Sequence, residues 1–190
     1  MNQIVDYDVV LLTADHSFAG QITLRDQRLS DFLNNRHNTF VALRKVSVSR
    51  LSDPGKVMEQ DSHAVVAKDT VLIAFEPPQK AIPATKRLFG YVAKQQTDVF
   101  IALDGMEVRG VLHTNGPLEL DRIIATPNEP FIAVTQATVT LHANTRFMIQ
   151  QDAIMVNVHA IRYLGKVGSS VTLKQPPTLP GGTNSSASNA

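Results

Sequence analysis

The sequence has no cysteine, no tryptophan and no long hydrophobic run. The lack of cysteine excludes disulfides, thiolate nucleophiles, iron–sulfur clusters and zinc sites that need thiolate ligands. Because the apolar runs are short, we expect neither a signal peptide nor a membrane-spanning helix, and we predict a cytoplasmic protein. An excess of one charge is also lacking, since 18 basic residues oppose 17 acidic ones. No overall electric field therefore draws the chain to nucleic acid or to an acidic membrane.

The remaining composition is globular, with 43% hydrophobic residues in a chain of 190. Its most informative feature is an approximate repeat with a period of about 90 residues. Apolar segments occur in the same order in both copies, at 9–12 and 99–103, 18–24 and 108–112, 28–33 and 118–124, and 40–43 and 131–134. Each copy ends in two short β-like runs, at 64–67 and 70–75 and at 146–150 and 153–158. We therefore expect one fold unit to occur twice.

The pattern within each copy indicates short antiparallel strands. Residues 131–141 alternate apolar with polar side chains and include a β-branched run, which favours a half-buried strand. Asp104 and Gly105 lie between two apolar runs, as is typical of a hairpin turn. We predict a mainly β protein made of two tandem, small, bent barrels of five strands each.

Two regions of the sequence do not follow the strand pattern. Leu88, Tyr91 and Val92 share one face of a helix predicted over residues 84–95, and prolines precede it. The predicted divisions are a first barrel at 1–76, a proline-bounded linker and helix at 77–95, a second barrel at 96–168 and a disordered tail at 169–190. Residues 52–62 are expected to form a long surface loop in which the two copies differ.

Two short motifs carry a family resemblance. Residues 99–112 contain a strand, a turn at Gly105 and a second strand carrying Gly110, and the endings at 66–71 and 149–154 keep the spacing of a tight turn between two strands. These features resemble the two motifs of the Sm-like family. The resemblance implies a strongly bent open barrel with an N-terminal helix, whose free strand edges pair between subunits to close a ring. The string at 28–34 also resembles a motif of small bacterial domains of unknown function.

The residues that the Sm-like family uses to hold RNA are not matched here. The family's Arg-Gly pair corresponds to Gln150 and Gln151 in the second copy and to Ala67 and Lys68 in the first. Residues 115–118 offer no aligned counterpart to the Asp and Asn of the family's nucleotide loop. The resemblance therefore implies the fold more strongly than it implies RNA binding.

No constellation in the sequence indicates a catalytic site. Asp61, Ser62 and His63 are the residue types of a hydrolase triad, but adjacent residues do not normally point at one another in the required order. The six histidines lack close metal-binding spacing, and no glycine-rich phosphate-binding loop occurs. We predict no catalytic residue, no metal site and no cofactor.

Four polar residues are candidate contacts for a ligand or for RNA. Arg28 and Asp31 would clasp an anion in one interpretation; in the other, Asp31 caps a short helical turn and Arg28 covers apolar surface. Arg44 and Lys45 belong to a local basic cluster that would contact RNA if any is bound.

The expected function is that of a non-catalytic module for protein assembly, whose strand edges bind further copies of the chain and other proteins. The predicted edge residues are Phe131, Ile132 and Val134 on one side and Ile154, Val156 and Val158 on the other. Three chains of two barrels would close a ring, so we expect a homotrimer. The alternative functions are an RNA-binding Sm-like protein and, second, a small hydrolase. No membrane contact is predicted.

Overall fold

The structure is a computed structural model that describes residues 4–77, 94–125, 127 and 129–168. The predicted linker helix at 84–95 lies outside these residues except at its end, where Gln95 already begins a strand. The predicted tail at 169–190 lies outside them as well.

Within the described residues, the first half of the chain contains five strands and one short helix. In chain order these are β1 (Ile4–Leu12), β2 (His16–Arg25), α1 (Leu29–Asn34), β3 (Phe40–Arg50), β4 (Asp53–Ala67) and β5 (Ile73–Phe75). A single turn of 3₁₀ helix at Lys68–Thr70 connects β4 to β5. Leu29 and Leu33 form the buried face of α1.

The second half contains the same kinds of element in the same order. They are β6 (Gln95–Leu103), β7 (Met106–Thr114), α2 (Leu120–Ala125), β8 (Phe131–Leu141), β9 (Asn144–Asn157) and β10 (Tyr163–Lys166). A 3₁₀ turn at Val158–Ala160 connects β9 to β10.

The described strands form one antiparallel sheet in the order β10-β6-β7-β8-β9-β5-β1-β2-β3-β4. The first half therefore contributes β5-β1-β2-β3-β4 and the second contributes β10-β6-β7-β8-β9, which is the same order. β5 connects the halves because it pairs with β1 on one side and with β9 on the other. The predicted mainly β class is confirmed, whereas the division into two bent barrels stays a prediction.

Corresponding positions of the two halves lie 90 or 91 residues apart, and we call two such residues counterparts. Lys45 in β3 and Gln136 in β8 are counterparts, and both have a φ of 50° where the strand pairing is irregular. Gly20 and Gly110 lie on the strands facing these bulges, and a Cβ at Gly110 would come within 2.6 Å of Val134 Cγ1. Both halves thus combine a bulge with a close approach that glycine permits.

Each half has its own hydrophobic cluster, completed by side chains from the other half. The first-half cluster includes Phe131 and Met155 of the second half. The second-half cluster includes residues of the first half, namely Leu12, Leu51, Leu72, Ile73 and Phe75. Because burying one such side chain contributes about 1.5–3 kcal/mol, this exchange holds the halves together.

Two expectations about the strands of the chain are corrected. β8 (Phe131–Leu141) is not an edge, because β7 and β9 pair with it on either side and cover its backbone groups. The region 52–62 is not a long loop, because β4 begins at Asp53 and the turn before it is as short as the turn before β9.

The turn expected within residues 149–154 is also corrected. β9 is unbroken from Asn144 to Asn157, and the chain turns at Val158–Ala160 instead. The resemblance implies a tight turn here, but residues 150–152 remain in the strand, and this part of β9 is partly exposed to solvent.

Candidate interaction site

The two halves meet where β5 pairs with β9, and we call this pairing with its surrounding contacts the inner joint. Ile73 lies opposite Val156, and Ala74 lies opposite Met155. All four side chains are buried. β5 is apolar at all three of its positions because both of its faces are covered.

Asn157 connects the two halves at one end of the inner joint. Its backbone N–H donates to the carbonyl oxygen of Leu72 at 2.9 Å, and its Nδ2 donates to the carbonyl oxygen of Val71 at 2.9 Å. Its Oδ1 accepts a hydrogen bond from the backbone N–H of His159 at 3.1 Å. Since Asn157 is buried, these bonds satisfy polar groups that water does not reach.

Helix α1 of the first half packs against β8 of the second. Asn34 Oδ1 accepts a hydrogen bond from the backbone N–H of Phe131 at 2.8 Å, and Asn34 Nδ2 donates to Glu129 Oε2 at 3.0 Å. The Phe131 side chain is 1% exposed within the first-half cluster. Polar and apolar contacts therefore fix the helix to the strand across the inner joint.

The edges of the sheet are β4 and β10, each of which pairs with a single neighbour among the described strands. Both edges carry exposed apolar side chains. Val65 on β4 is 67% exposed, and Tyr163 on β10 is 57% exposed. Phe40, on the neighbouring β3, is 53% exposed. A strand edge with unpaired backbone groups and apolar side chains is a surface to which another strand can add.

These exposed residues are counterparts of residues that the inner joint buries. Phe40 is the counterpart of Phe131, and Val65 is the counterpart of Met155, which is 9% exposed. Tyr163 is the counterpart of Ile73, which is buried in the second-half cluster. On the helices the same holds for Ile124, which is exposed, and Leu33, which is buried. The free edges thus repeat the positions of the inner joint without its covering partner.

The six residues predicted as an interaction edge lie inside the protein. Phe131 and Val156 belong to the inner joint. The others lie within the second half, where Ile132 is half-buried and Val134, Ile154 and Val158 are buried. Among the described strands, those that pair on one side only are β4 and β10.

Among the four predicted ligand contacts, Arg28 and Asp31 lie at the start of α1. The backbone N–H of Arg28 donates to Asp31 Oδ2 at 3.1 Å, so Asp31 caps the helix. A clasped anion stays a prediction.

Arg44 and Lys45 lie on β3, where Arg44 forms an ion pair with Asp6. Arg44 also donates to Thr23 Oγ1 at 2.8 Å. The hydrogen bond from Thr23 and the charge of Arg44 lower the pKa of Asp6. Lys45 occupies the adjacent bulge. Contact of either basic residue with RNA stays a prediction.

A groove of about 760 Å³ follows the inner joint. It is lined by the start of α1, the end of β5 and the middle of β8 and β9. Glu76 lies at the end of β5, and burial raises the pKa of its carboxyl group. The second half contributes mainly neutral polar side chains, including Gln136 and Gln151. The groove therefore offers hydrogen-bonding groups, the carboxylates of Glu76 and Asp152, and the guanidinium group of Arg28.

A second cavity, of about 570 Å³, lies where the 3₁₀ turns of both halves come together. Arg36, Lys68 and His159 contribute basic side chains to it, and Asp69 contributes an acidic one. Lys68 is buried, and its Nζ donates to the carbonyl oxygen of Asn35 at 2.6 Å. Burial lowers the pKa of Lys68. This lysine anchors the segment that follows α1.

Asp61, Ser62 and His63 are consecutive residues of β4 and are exposed. Successive side chains of a strand point to opposite faces, so Asp61 and His63 share one face of β4 and Ser62 lies on the other. Ser62 Oγ and His63 Nδ1 are 3.3 Å apart. Within the part of the chain that the structure describes, no three acidic or histidine side chains are grouped to hold a metal ion.

The described residues include no helix that is both long and apolar enough to cross a membrane.

The sequence predicts that the two copies share one pair of strand edges within the chain, but it does not predict that β5 and β9 form this pair, although a signal for β5 is present. Residues 71–75 are apolar without interruption. Such a run indicates a strand that is buried on both faces, and within a single bent barrel one face of this strand would have been expected to meet solvent.

Comparison with known proteins finds no match: no family model, no curated protein and no solved structure is similar to this chain.

Proposed function

We propose that this chain is a non-catalytic assembly module that joins further copies of itself, with β10 of one copy pairing with β4 of the next. One observation carries the proposal: the inner joint pairs β5 with β9, and the two free edges are the counterparts of these strands. Each chain therefore ends in one edge of each kind, and the two kinds are complementary.

The pairing between copies, which we call the outer joint, takes its register from the inner joint. Replacing each residue by its counterpart puts Tyr163 opposite Val66 and Leu164 opposite Val65. Phe40 of the next copy is then covered by α2 and β10, just as Phe131 is covered by α1 and β5 in the inner joint. Burying Phe40 and Val65 would contribute about 1.5–3 kcal/mol each, which gives the outer joint an apolar centre.

A head-to-tail contact forms a closed ring when its rotations add up to a full turn. The resemblance to Sm-like proteins implies bent five-stranded barrels in a ring, and the paired bulges at Lys45 and Gln136 are devices that bend strands. With two barrels in each chain, three chains make a ring of six. We therefore propose a homotrimer with pseudo-sixfold symmetry.

The test is the mass of the protein in solution, measured by light scattering after size exclusion. The chain should have three times its mass of 20.8 kDa. Val65→Asp or Tyr163→Asp should reduce this to the mass of one chain, because each places a charge in an apolar contact. Met148→Asp is the matched control, since Met148 is an exposed apolar residue of β9 away from both edges. A wild-type chain with the mass of a monomer would overturn the proposal.

Mixing the two variants tests whether the contact is head-to-tail. Each variant keeps one intact edge, β10 in Val65→Asp and β4 in Tyr163→Asp. A mixture should therefore form a dimer with one good joint, although each variant alone is a monomer. If the contact instead used the same edge on both copies, the mixture would contain no dimer made of one chain of each variant.

A further inference from the structure

The outer joint differs in charge from the inner joint. β10 extends to Lys166, one position beyond the counterpart of the last residue of β5. Continuing the register of the inner joint places Lys166 opposite His63 of the next copy. Asp61 lies two residues further along β4 and therefore on the same face. In antiparallel pairs such diagonal neighbours are about 7–8 Å apart at Cα, within reach of a lysine side chain.

The inner joint has a different pair at these positions. Glu76 is the counterpart of Lys166, and Gln151 is the counterpart of Asp61. Both line the groove of the inner joint. Where the inner joint has the carboxylate of Glu76, the outer joint thus has the ammonium group of Lys166. Where the inner joint has the amide of Gln151 on the facing strand, the outer joint has the carboxylate of Asp61. The two replacements are complementary in sign.

We infer that Lys166 of one copy forms an ion pair with Asp61 of the next and that this pair selects the head-to-tail contact. The inference rests on the proposed self-assembly. Lys166, Asp61 and His63 are all exposed in the single chain, so their side chains are accessible to a second copy. Antiparallel pairing of two β4 edges centred near Asp61 would instead bring two carboxylates together, which opposes this unwanted contact.

The mixture of edge variants provides a single outer joint in which the pair can be tested. In the Val65→Asp and Tyr163→Asp mixture, the joint uses Lys166 of the first chain and Asp61 of the second. Lys166→Glu in the first chain should weaken dimerisation about five-fold, and so should Asp61→Lys in the second. Both changes together should restore most of the lost affinity. Affinity is measured by analytical ultracentrifugation.

The same substitutions placed on the unused edges are matched controls. Asp61→Lys in the Val65→Asp chain and Lys166→Glu in the Tyr163→Asp chain should leave the dimer unchanged, because those residues lie outside the remaining joint. Dimerisation with the native pair should also weaken with added salt more than dimerisation with Lys166→Gln and Asp61→Asn.

The two proposals fail in different ways. If the parent variants dimerise but the reversed charges do not compensate each other, the ion pair is refuted and head-to-tail assembly stands. If the wild-type chain is a monomer and the parent variants do not dimerise, assembly is refuted and the ion pair with it.

Discussion

Phe131 and Phe40 begin corresponding strands in the two halves, yet one is buried and the other is exposed. The residue type is the same, so the difference lies in the surroundings. Phe131 enters the first-half cluster because α1 and β5 of the other half reach it, whereas Phe40 lies on the side of the sheet that ends at β4. The exposed side chain is therefore at a position that the other half of the chain covers in one case and leaves uncovered in the other.

The two halves also differ in the polar side chains that their strands carry at corresponding positions. In the first half Asp6, Thr23 and Arg44 form a charged cluster. In the second half their counterparts are Gln96, His113 and Thr135, and His113 Nε2 lies 2.7 Å from Thr135 Oγ1. The same backbone geometry thus carries an ion pair in one half and a hydrogen bond without a carboxylate in the other.

The largest expected effect separates Phe131 from Phe40. Phe131→Ala should lower the free energy of unfolding by about 3–5 kcal/mol, because it leaves a cavity in a closed core. Phe40→Ala should leave it nearly unchanged in the single chain. Urea unfolding in the Val65→Asp background, where the chain is expected to be monomeric, measures both. Equal losses for the two variants would contradict the idea that only one of these positions has its partner.

Asn157 should show the next largest effect. Asn157→Ala removes one side-chain hydrogen bond across the inner joint and one that caps the 3₁₀ turn at Val158–Ala160, and it leaves the carbonyl oxygen of Val71 without this donor. We expect a loss of about 1–3 kcal/mol in urea unfolding.

The reverse change tests the outer joint. The counterpart of Asn157 is Ala67, so Ala67→Asn should supply the outer joint with the same kind of hydrogen bond and tighten association of the copies. Sedimentation of the wild-type and Ala67→Asn chains at low concentration measures this. Weaker association would indicate that the outer joint does not follow the inner one.

The mainly β class could be predicted from the sequence because strand alternation is local. The alternation of apolar residues along 131–141 and the turn at Gly105 are both set by a few adjacent residues, and both are observed in the structure. The turn expected at 149–154 was wrong because it rested on the spacing of a family motif, whereas in the structure residues 150–152 continue a partly exposed strand.

The two strands that form the inner joint could not be predicted, because their pairing depends on which edges meet across a long stretch of chain. The pairing of Ile73 with Val156 joins residues far apart in the sequence. Alternation indicates which residues form a strand but does not identify the strand's neighbours, and β8 was therefore placed at an edge that belongs to β4.

The two bulges provide a smaller test of how closely the halves agree. A Cβ at Gly110 would lie 2.6 Å from Val134 Cγ1 and 2.8 Å from the carbonyl oxygen of Thr135. At Gly20 the nearest atom, the carbonyl oxygen of Arg44, is 3.0 Å away. Gly110→Ala should therefore lower the free energy of unfolding by about 1–3 kcal/mol, and Gly20→Ala should lower it less. A larger loss for Gly20→Ala would show that β2 and β3 have less room to adjust than β7 and β8.

The smallest expected effect concerns the charged cluster of the first half. The pKa of Asp6 is lowered by the hydrogen bond from Thr23 and by Arg44, so folding favours the ionised carboxylate. The stabilisation is therefore present above the ordinary value of 3.8 and is lost as the pH falls through the lower pKa of the folded state. Asp6→Asn should be slightly less stable than wild type at pH 7, and the difference should disappear in acid, as followed by urea unfolding between pH 7 and pH 2. In an Arg44→Gln background the pH-dependent difference should shrink, because one of the three groups that favour the carboxylate has been removed. An unchanged difference in that background would assign the effect to the Thr23 hydroxyl group and the charge of Lys45, and the ion pair with Arg44 would then not account for the difference between the two halves.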